Sequence, residues 1–202
     1  MGSATKTLRL AALITLVATA ATLAVSAAPA RAGLGISCPD ATTTPFRPWS
    51  DTANYAYVPG GGFEAGTTAW TLAGGAAAVS GNERFYLHST ADKSSLRLPA
   101  GATATSPPMC IALLSSKMRF VVSGSSGAQV HVQVIYRGLV SSVLGIFDGG
   151  TVTSNGTWQP SPQISMLGGL LPLLTQYVQF RFVATSGTVL LDDVYLDPWK
   201  VT

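Results

Sequence analysis

Hydrolysis of a glycosidic bond needs two carboxylates flanking it, about 5 Å or about 6.5–9.5 Å apart. The chain contains two glutamates, Glu64 and Glu83, and Glu64 sits inside a glycine-rich run. A Ser-His-Asp relay would have to use His88 or His131, the only histidines. No Gly-x-Ser-x-Gly elbow is present; Gly124-Ser125-Ser126-Gly127 has the wrong spacing and reads as a hairpin turn. His131 lies in an alternating stretch, where a histidine is more often a plain surface residue. These features predict a protein that is not an enzyme, with no catalytic residue to assign.

The two cysteines, Cys38 and Cys110, are too few and too far apart to make a zinc site with two histidines. Both lie in the part of the chain expected to be exported, where an even pair predicts a disulfide. The long loop it closes would stabilise the fold by roughly 4 kcal/mol in the chain-entropy view.

Amides and guanidinium groups are the natural hydrogen-bond partners of sugar hydroxyls. Arg119, Gln129, His131, Gln133, Gln179 and Arg181 gather on one face if the strand at 128–137 neighbours those at 117–123 and 177–184. The same residues would equally furnish an ordinary solvated sheet face. Trp70, Trp158, Trp199, Tyr86 and Tyr136 are the aromatic rings available for stacking on a sugar. Trp70 and Trp158 read better as core residues.

The elements that must position these groups begin after residue 32. Lys6 and Arg9 form a basic start, Leu10 to Ala28 an uncharged apolar run, and Ala30-Arg31-Ala32 a small-x-small cleavage site. This is the pattern of a signal peptide over residues 1–32, and it predicts a secreted protein without a membrane span after cleavage. A membrane anchor is the competing reading, less suited to so much Ala and Thr. Lys6, Arg9 and Arg31 leave with the signal, so the 12 basic residues fall to nine, against nine acids. The mature protein is near neutral, and nothing in it points to nucleic acid.

Residues 33–56 read as an extended N-terminal arm, and 57–202 as one domain. Short strand signals follow, separated by Gly, Ser, Pro and Asn. They include Gly62–Glu64, Phe85–His88 and Lys117–Ser123. Val130, Val132, Val134 and Tyr136 oppose Gln129, His131, Gln133 and Arg137; Val178, Phe180 and Phe182 oppose Gln179 and Arg181. Met118, Phe120 and Val122 likewise oppose Lys117 and Arg119. Period-two alternation means half-buried strands of antiparallel sheets. The stretch Met166–Thr175 is broken by Gly168-Gly169 and Pro172, leaving room for one helical turn. The fold class predicted is all-β, a single antiparallel β-sandwich of jelly-roll type.

Four short motifs occur in order. They are Gly60-Gly61-Gly62-Phe63-Glu64-Ala65-Gly66 with Trp70, then Ser95-Leu96-Arg97-Leu98, then Thr157-Trp158, and Leu191-Asp192-Asp193-Val194 near the end. The chain thereby resembles the galactose-binding-like jelly rolls, in particular carbohydrate-binding modules of the xylanase-associated type, over about residues 57–198. It is also similar to a group of secreted actinobacterial proteins of unknown function. The resemblance implies neighbouring first and last strands with a structural calcium at their junction. Carried over, Glu64 with Asp192 or Asp193 would be the carboxylate ligands, helped by main-chain oxygens near Lys93–Ser95. The alternative for these acids is a solvated strand end and a backbone-bonded Glu64. The function expected is a secreted, non-catalytic binding module for extracellular or cell-wall carbohydrate, its partner a glycan or cell-envelope component. The other reading is a cell-surface structural or protein-interaction protein without a small-molecule ligand.

Overall fold

The computed structural model describes residues 43–111, 117–138, 142–166 and 177–197. The expected signal peptide, Cys38, Trp199 and most of the Met166–Thr175 stretch lie outside them. Among the described residues a 3-10 turn, Arg47–Trp49, precedes thirteen strands. These are β1 (Ala56–Tyr57), β2 (Thr71–Ala73), β3 (Ala77–Ser80), β4 (Ser94–Leu98), β5 (Thr103–Thr105) and β6 (Met109–Cys110). After them come β7 (Lys117–Gly124), β8 (Gln129–Arg137), β9 (Val143–Thr153), β10 (Gln159–Pro160), β11 (Ile164–Ser165), β12 (Tyr177–Ser186) and β13 (Val189–Asp197).

They form two antiparallel sheets. One runs β10-β7-β13-β4-β3, with β1 beside β13 and β11 beside β7. The other runs β2-β5-β12-β8-β9, with β6 beside β12. The expected all-β sandwich is therefore the observed one. The closing strand β13 pairs not with the Gly62–Glu64 motif but with β1, just ahead of it.

The inner faces meet in one core. Val130, Val132 and Val134 of β8 and Val178, Phe180 and Phe182 of β12 face Met118, Phe120 and Val122 of β7 and Leu96, Leu98 and Leu191. Phe120 and Phe182 touch edge to face at 5.0 Å. Burying one such ring stabilises the fold by roughly 2–3 kcal/mol, so this row is a principal anchor of sheet on sheet. Among the described residues no helix is long and apolar enough to cross a membrane.

A second cluster lies on the outside of the seven-stranded sheet. Phe46 and Tyr55, from the segment read as an extended lead-in, pack fully buried against Val121 of β7 and Tyr195 of β13. From Thr43 onward this segment folds back over the sheet, and Thr43 bridges Tyr55. As a result β7 is buried on both faces, although its sequence alternates.

Two expected strands are not strands. Gly62–Glu64 is one: Phe63 adopts a left-handed φ of 59°, outside the extended region of regular strands. Gly62 is required there, because a Cβ would collide with the Tyr57 hydroxyl and lie 3.2 Å from Asp193 Oδ1. Phe85–His88 is likewise irregular, its backbone held by a side chain: Glu83 Oε1 accepts from Leu87 N at 2.7 Å and Oε2 accepts from Phe85 N. Cys110 ends β6 and is not a free thiol.

Candidate ligand face and buried acidic cluster

On β8 and β12 the odd-numbered residues point away from the core. Strand register lines them up across the six-stranded sheet. Thr71, Thr105, Arg181, Gln133 and Asp148 form one row from β2 to β9. Thr103, Val183, His131 and Thr151 form the next. Arg181 Nη1 donates to Gln133 Oε1 at 3.5 Å. His131 Nδ1 lies 3.2 Å from Thr151 Oγ1, and its Nε2 lies 3.6 Å from Asp148 Oδ1.

On the other side of the Arg181 row, Gln179 stands opposite Ile135 and Ile135 opposite Ile146. Gln179 Nε2 donates to the Ser106 carbonyl at 2.7 Å, and its Oε1 accepts from Arg137 Nε. Tyr177, partly buried, is paired with Arg137. Ile146 and Val143 are about half exposed, at 51% and 52%. The face thus carries a polar field of donors and acceptors next to an apolar strip.

Five of the six residues expected on one face are there: Gln129, His131, Gln133, Gln179 and Arg181. Arg119 is not. Its strand, β7, belongs to the other sheet, between β13 and β10, and does not neighbour β8 or β12. Its guanidinium lies under the folded-back N-terminal segment, 4.5 Å from the Phe46 ring centroid and 2.8 Å from Asp51 Oδ2. Alternation fixes which residues share a face, but not which strand lies beside which. Asp148 and Thr151 complete the field and were missed, because two adjacent glycines, Gly149-Gly150, interrupt the alternation of β9.

Of the aromatics, Trp70 is a core residue, 5.2 Å from Phe63 and 6.0 Å from Phe182. Trp158 packs partly buried on the second cluster, and Tyr136 is buried against Phe147. Tyr86 is exposed, but in the loop before β4.

A second group of residues gathers at the end of the seven-stranded sheet. Glu83, Asp92, Asp192 and Asp193 are all buried. Two adjacent strand residues both become buried because β13 bulges: its register with β7 shifts between Asp192 and Tyr195, and Asp193 takes a φ of 46°. A bulge re-aims a side chain in this way, and Asp tolerates the left-handed region better than most residues. Asp192 accepts from Glu83 N at 3.0 Å and from Asp193 N at 2.9 Å. Asp193 Oδ2 accepts from His88 N at 3.2 Å, whereas its Oδ1 is enclosed with no hydrogen-bond partner. Burial pushes the Asp192 carboxyl up to about 8 against the opposing bond from Glu83 N. Burial, then the charges of Glu83 and Asp92, pushes Asp193 up to about 8.

Two acids of the calcium set implied by resemblance are engaged by backbone. Glu64 is exposed, and its Oε1 accepts from Lys93 N at 2.7 Å and Ser94 N at 2.5 Å. Asp192 is engaged by the backbone, as above. Among the described residues, the metal-type side chains that converge are His88, Asp92 and Asp193, with one ligand atom from each within 4.8 Å of the others. Asp193 belongs to both sets; Glu64 and Asp192 belong only to the expected one.

No protein-family model matches the sequence, and no curated protein does. Solved structures do match. The CBM22-1–GH10 modules of the Clostridium thermocellum N-terminal endo-1,4-beta-D-xylanase 10B, complexed with xylohexaose, align with a TM-score of 0.52 at 13% identity. The alignment covers 72% of this chain and 28% of that one. The CBM22-1–CBM22-2 tandem of Paenibacillus barcinonensis Xyn10C aligns at 0.50 and 15%, over 74% and 46% of the two chains. Its CBM22-1 xylan-binding domain alone aligns at 0.49 and 16%, over 74% of this chain and 97% of that one. At such identities the likeness is one of fold: the described residues form the two-sheet jelly-roll β-sandwich of carbohydrate-binding modules.

Proposed function

We propose that the mature chain is a secreted, non-catalytic binding module whose ligand is an extracellular or cell-wall polysaccharide. The observation that carries this is the outer face of the six-stranded sheet, where Arg181, Gln133, His131, Asp148 and Thr151 stand in register across β12, β8 and β9. Sugars present hydroxyls that bond such groups and C–H faces that rest on apolar or aromatic surface. The exposed side chains of Ile146 and Val143, with Tyr177 nearby, offer that surface beside the polar field. The jelly-roll likeness to the CBM22-1–GH10 modules complexed with xylohexaose points the same way. The two glutamates each hold backbone, Glu64 accepting from Lys93 N and Glu83 from Leu87 N.

The test is retention by insoluble cell-wall and plant polysaccharides, followed by titration with soluble fragments. Arg181→Ala and Gln133→Ala should each weaken binding at least about tenfold, the loss of one to two good hydrogen bonds, with an unchanged melting temperature. No retention on any polysaccharide, together with capture of a protein through Val143 and Ile146, favours the interaction reading instead. Those two exposed apolar residues on the edge strand β9 are the feature that speaks for it.

A further inference from the structure

We propose that His88, Asp92 and Asp193 form a site for one borderline divalent metal ion of the zinc type, seated at the bulge of β13. The site is independent of the sugar face, because it lies on the other sheet and shares no residue with it. His88 Nδ1 and Asp92 Oδ2 are 3.0 Å apart. Two ligands held at about 2.0–2.1 Å from one ion are separated by roughly 2.9–3.4 Å in octahedral or tetrahedral geometry, so this pair already has the spacing of a chelate edge. The third donor comes from Asp193, with all three ligand atoms within 4.8 Å of one another. The His88 side chain is 42% exposed and gives the cluster its access to solvent.

The independent observation is the state of Asp193. It is 1% exposed, and its Oδ1 meets no donor. A buried carboxylate oxygen without a donor is costly, and among the described residues no Lys or Arg forms an ion pair with Asp92, Asp192 or Asp193. A cation bound at Asp193 supplies the missing partner. The approach of Gly62 to Asp193 Oδ1 keeps the carboxylate enclosed. On the exposed side, the His88 ring stacks on Tyr57 at 4.0 Å with the planes 7° apart, which holds the imidazole edge toward the acids.

The donor chemistry selects the ion. Calcium takes six to eight oxygen ligands, whereas an imidazole nitrogen with two carboxylates suits zinc and its neighbours. Three protein ligands leave a fourth position for water on the exposed side.

Full-length mature protein, stripped with chelator, is titrated calorimetrically with Zn²⁺ alone and with Ca²⁺ alone, and melted with each. One Zn²⁺ per chain is expected, with a rise in melting temperature of roughly 5–10 °C at a hundred times the dissociation constant. His88→Gln and Asp92→Asn should each weaken Zn²⁺ at least about tenfold while leaving the circular dichroism of the metal-free protein unchanged. Zn²⁺ binding that survives in His88→Gln, no Zn²⁺ binding, or displacement of Zn²⁺ by equimolar Ca²⁺ each overturns the proposal. Loss in His88→Gln also separates this site from adventitious binding at His131.

Discussion

Arg119 and Asp51 meet at 2.8 Å beneath the folded-back N-terminal segment, and this buried pair fastens that segment to β7. The Arg119 side chain is 9% exposed and that of Asp51 is 5%. Arg119 Nε and Nη2 also donate to the Ser161 carbonyl, at 2.9 and 2.6 Å, and Tyr55 Oη donates to Asp51 Oδ2 at 2.8 Å. The guanidinium therefore joins three separate pieces of chain: residues 43–56, β7 and the segment after β10.

Removing one partner of a buried pair leaves the other charge uncompensated, a loss of about 3–5 kcal/mol. Arg119→Ala is expected to fall in that range, and also leaves the Ser161 carbonyl unbonded. Urea unfolding at neutral pH measures it. A loss under about 1 kcal/mol, the size of an exposed pair, would show that the segment is not fastened there.

The same pair makes stability depend on acid. Burial pushes the Asp51 carboxyl up, but bonds from Gln163, Arg119, Tyr55 and Ala53 together outweigh it and hold the group below its ordinary value. A folded pKa lower than the unfolded one stabilises the protein above the unfolded value, near pH 4. That contribution is lost as pH falls from there through the folded pKa. Asp51→Asn should be less stable than the parent at pH 7 and lose less between pH 5 and pH 2. Parallel stability curves for the two proteins would contradict the assignment.

The sequence made β12 and β8 legible because their alternation records a face against the core and a face against solvent. It misled at β7, where Arg119 alternates just as Arg181 does. What covers Arg119 is Phe46 and Tyr55, more than sixty residues earlier in the chain, and periodicity carries no trace of such a cover. The Asp192-Asp193 pair was legible as a closing strand, but not as two buried acids, since a bulge buries both. His88 and Asp92 are invisible in pattern terms: they lie in an irregular loop about a hundred residues before Asp193. The one signal present was the density of acids and histidine between Glu83 and Asp92.

Cys38 and Cys110 are expected to be joined by a disulfide, which would tie the chain ahead of Thr43 to the β6 edge of the six-stranded sheet. Thiol titration of the unfolded, unreduced protein should find no reactive sulfhydryl, and two after reduction. Two thiols before reduction would refute the bridge.

Glu64 offers the test that separates backbone bonding from metal binding. Its Oε1 accepts from two successive backbone N–H groups, Lys93 and Ser94, just as the chain enters β4. Glu64 thus ties the turn after Gly62 to the strand beside β13, across a gap that no backbone ladder spans. Glu64→Gln keeps an acceptor oxygen at that place and removes only the charge, so a loss under about 1 kcal/mol is expected. Glu64→Ala leaves both N–H groups to water, and the turn's exposure limits the loss to about 1–2 kcal/mol. Neither change touches His88, Asp92 or Asp193, so the response of the melting temperature to Zn²⁺ should be that of the parent. If Glu64→Gln instead abolishes a metal response while the metal-free protein keeps its stability, Glu64 is a ligand and its bonds to Lys93 and Ser94 are not its working role.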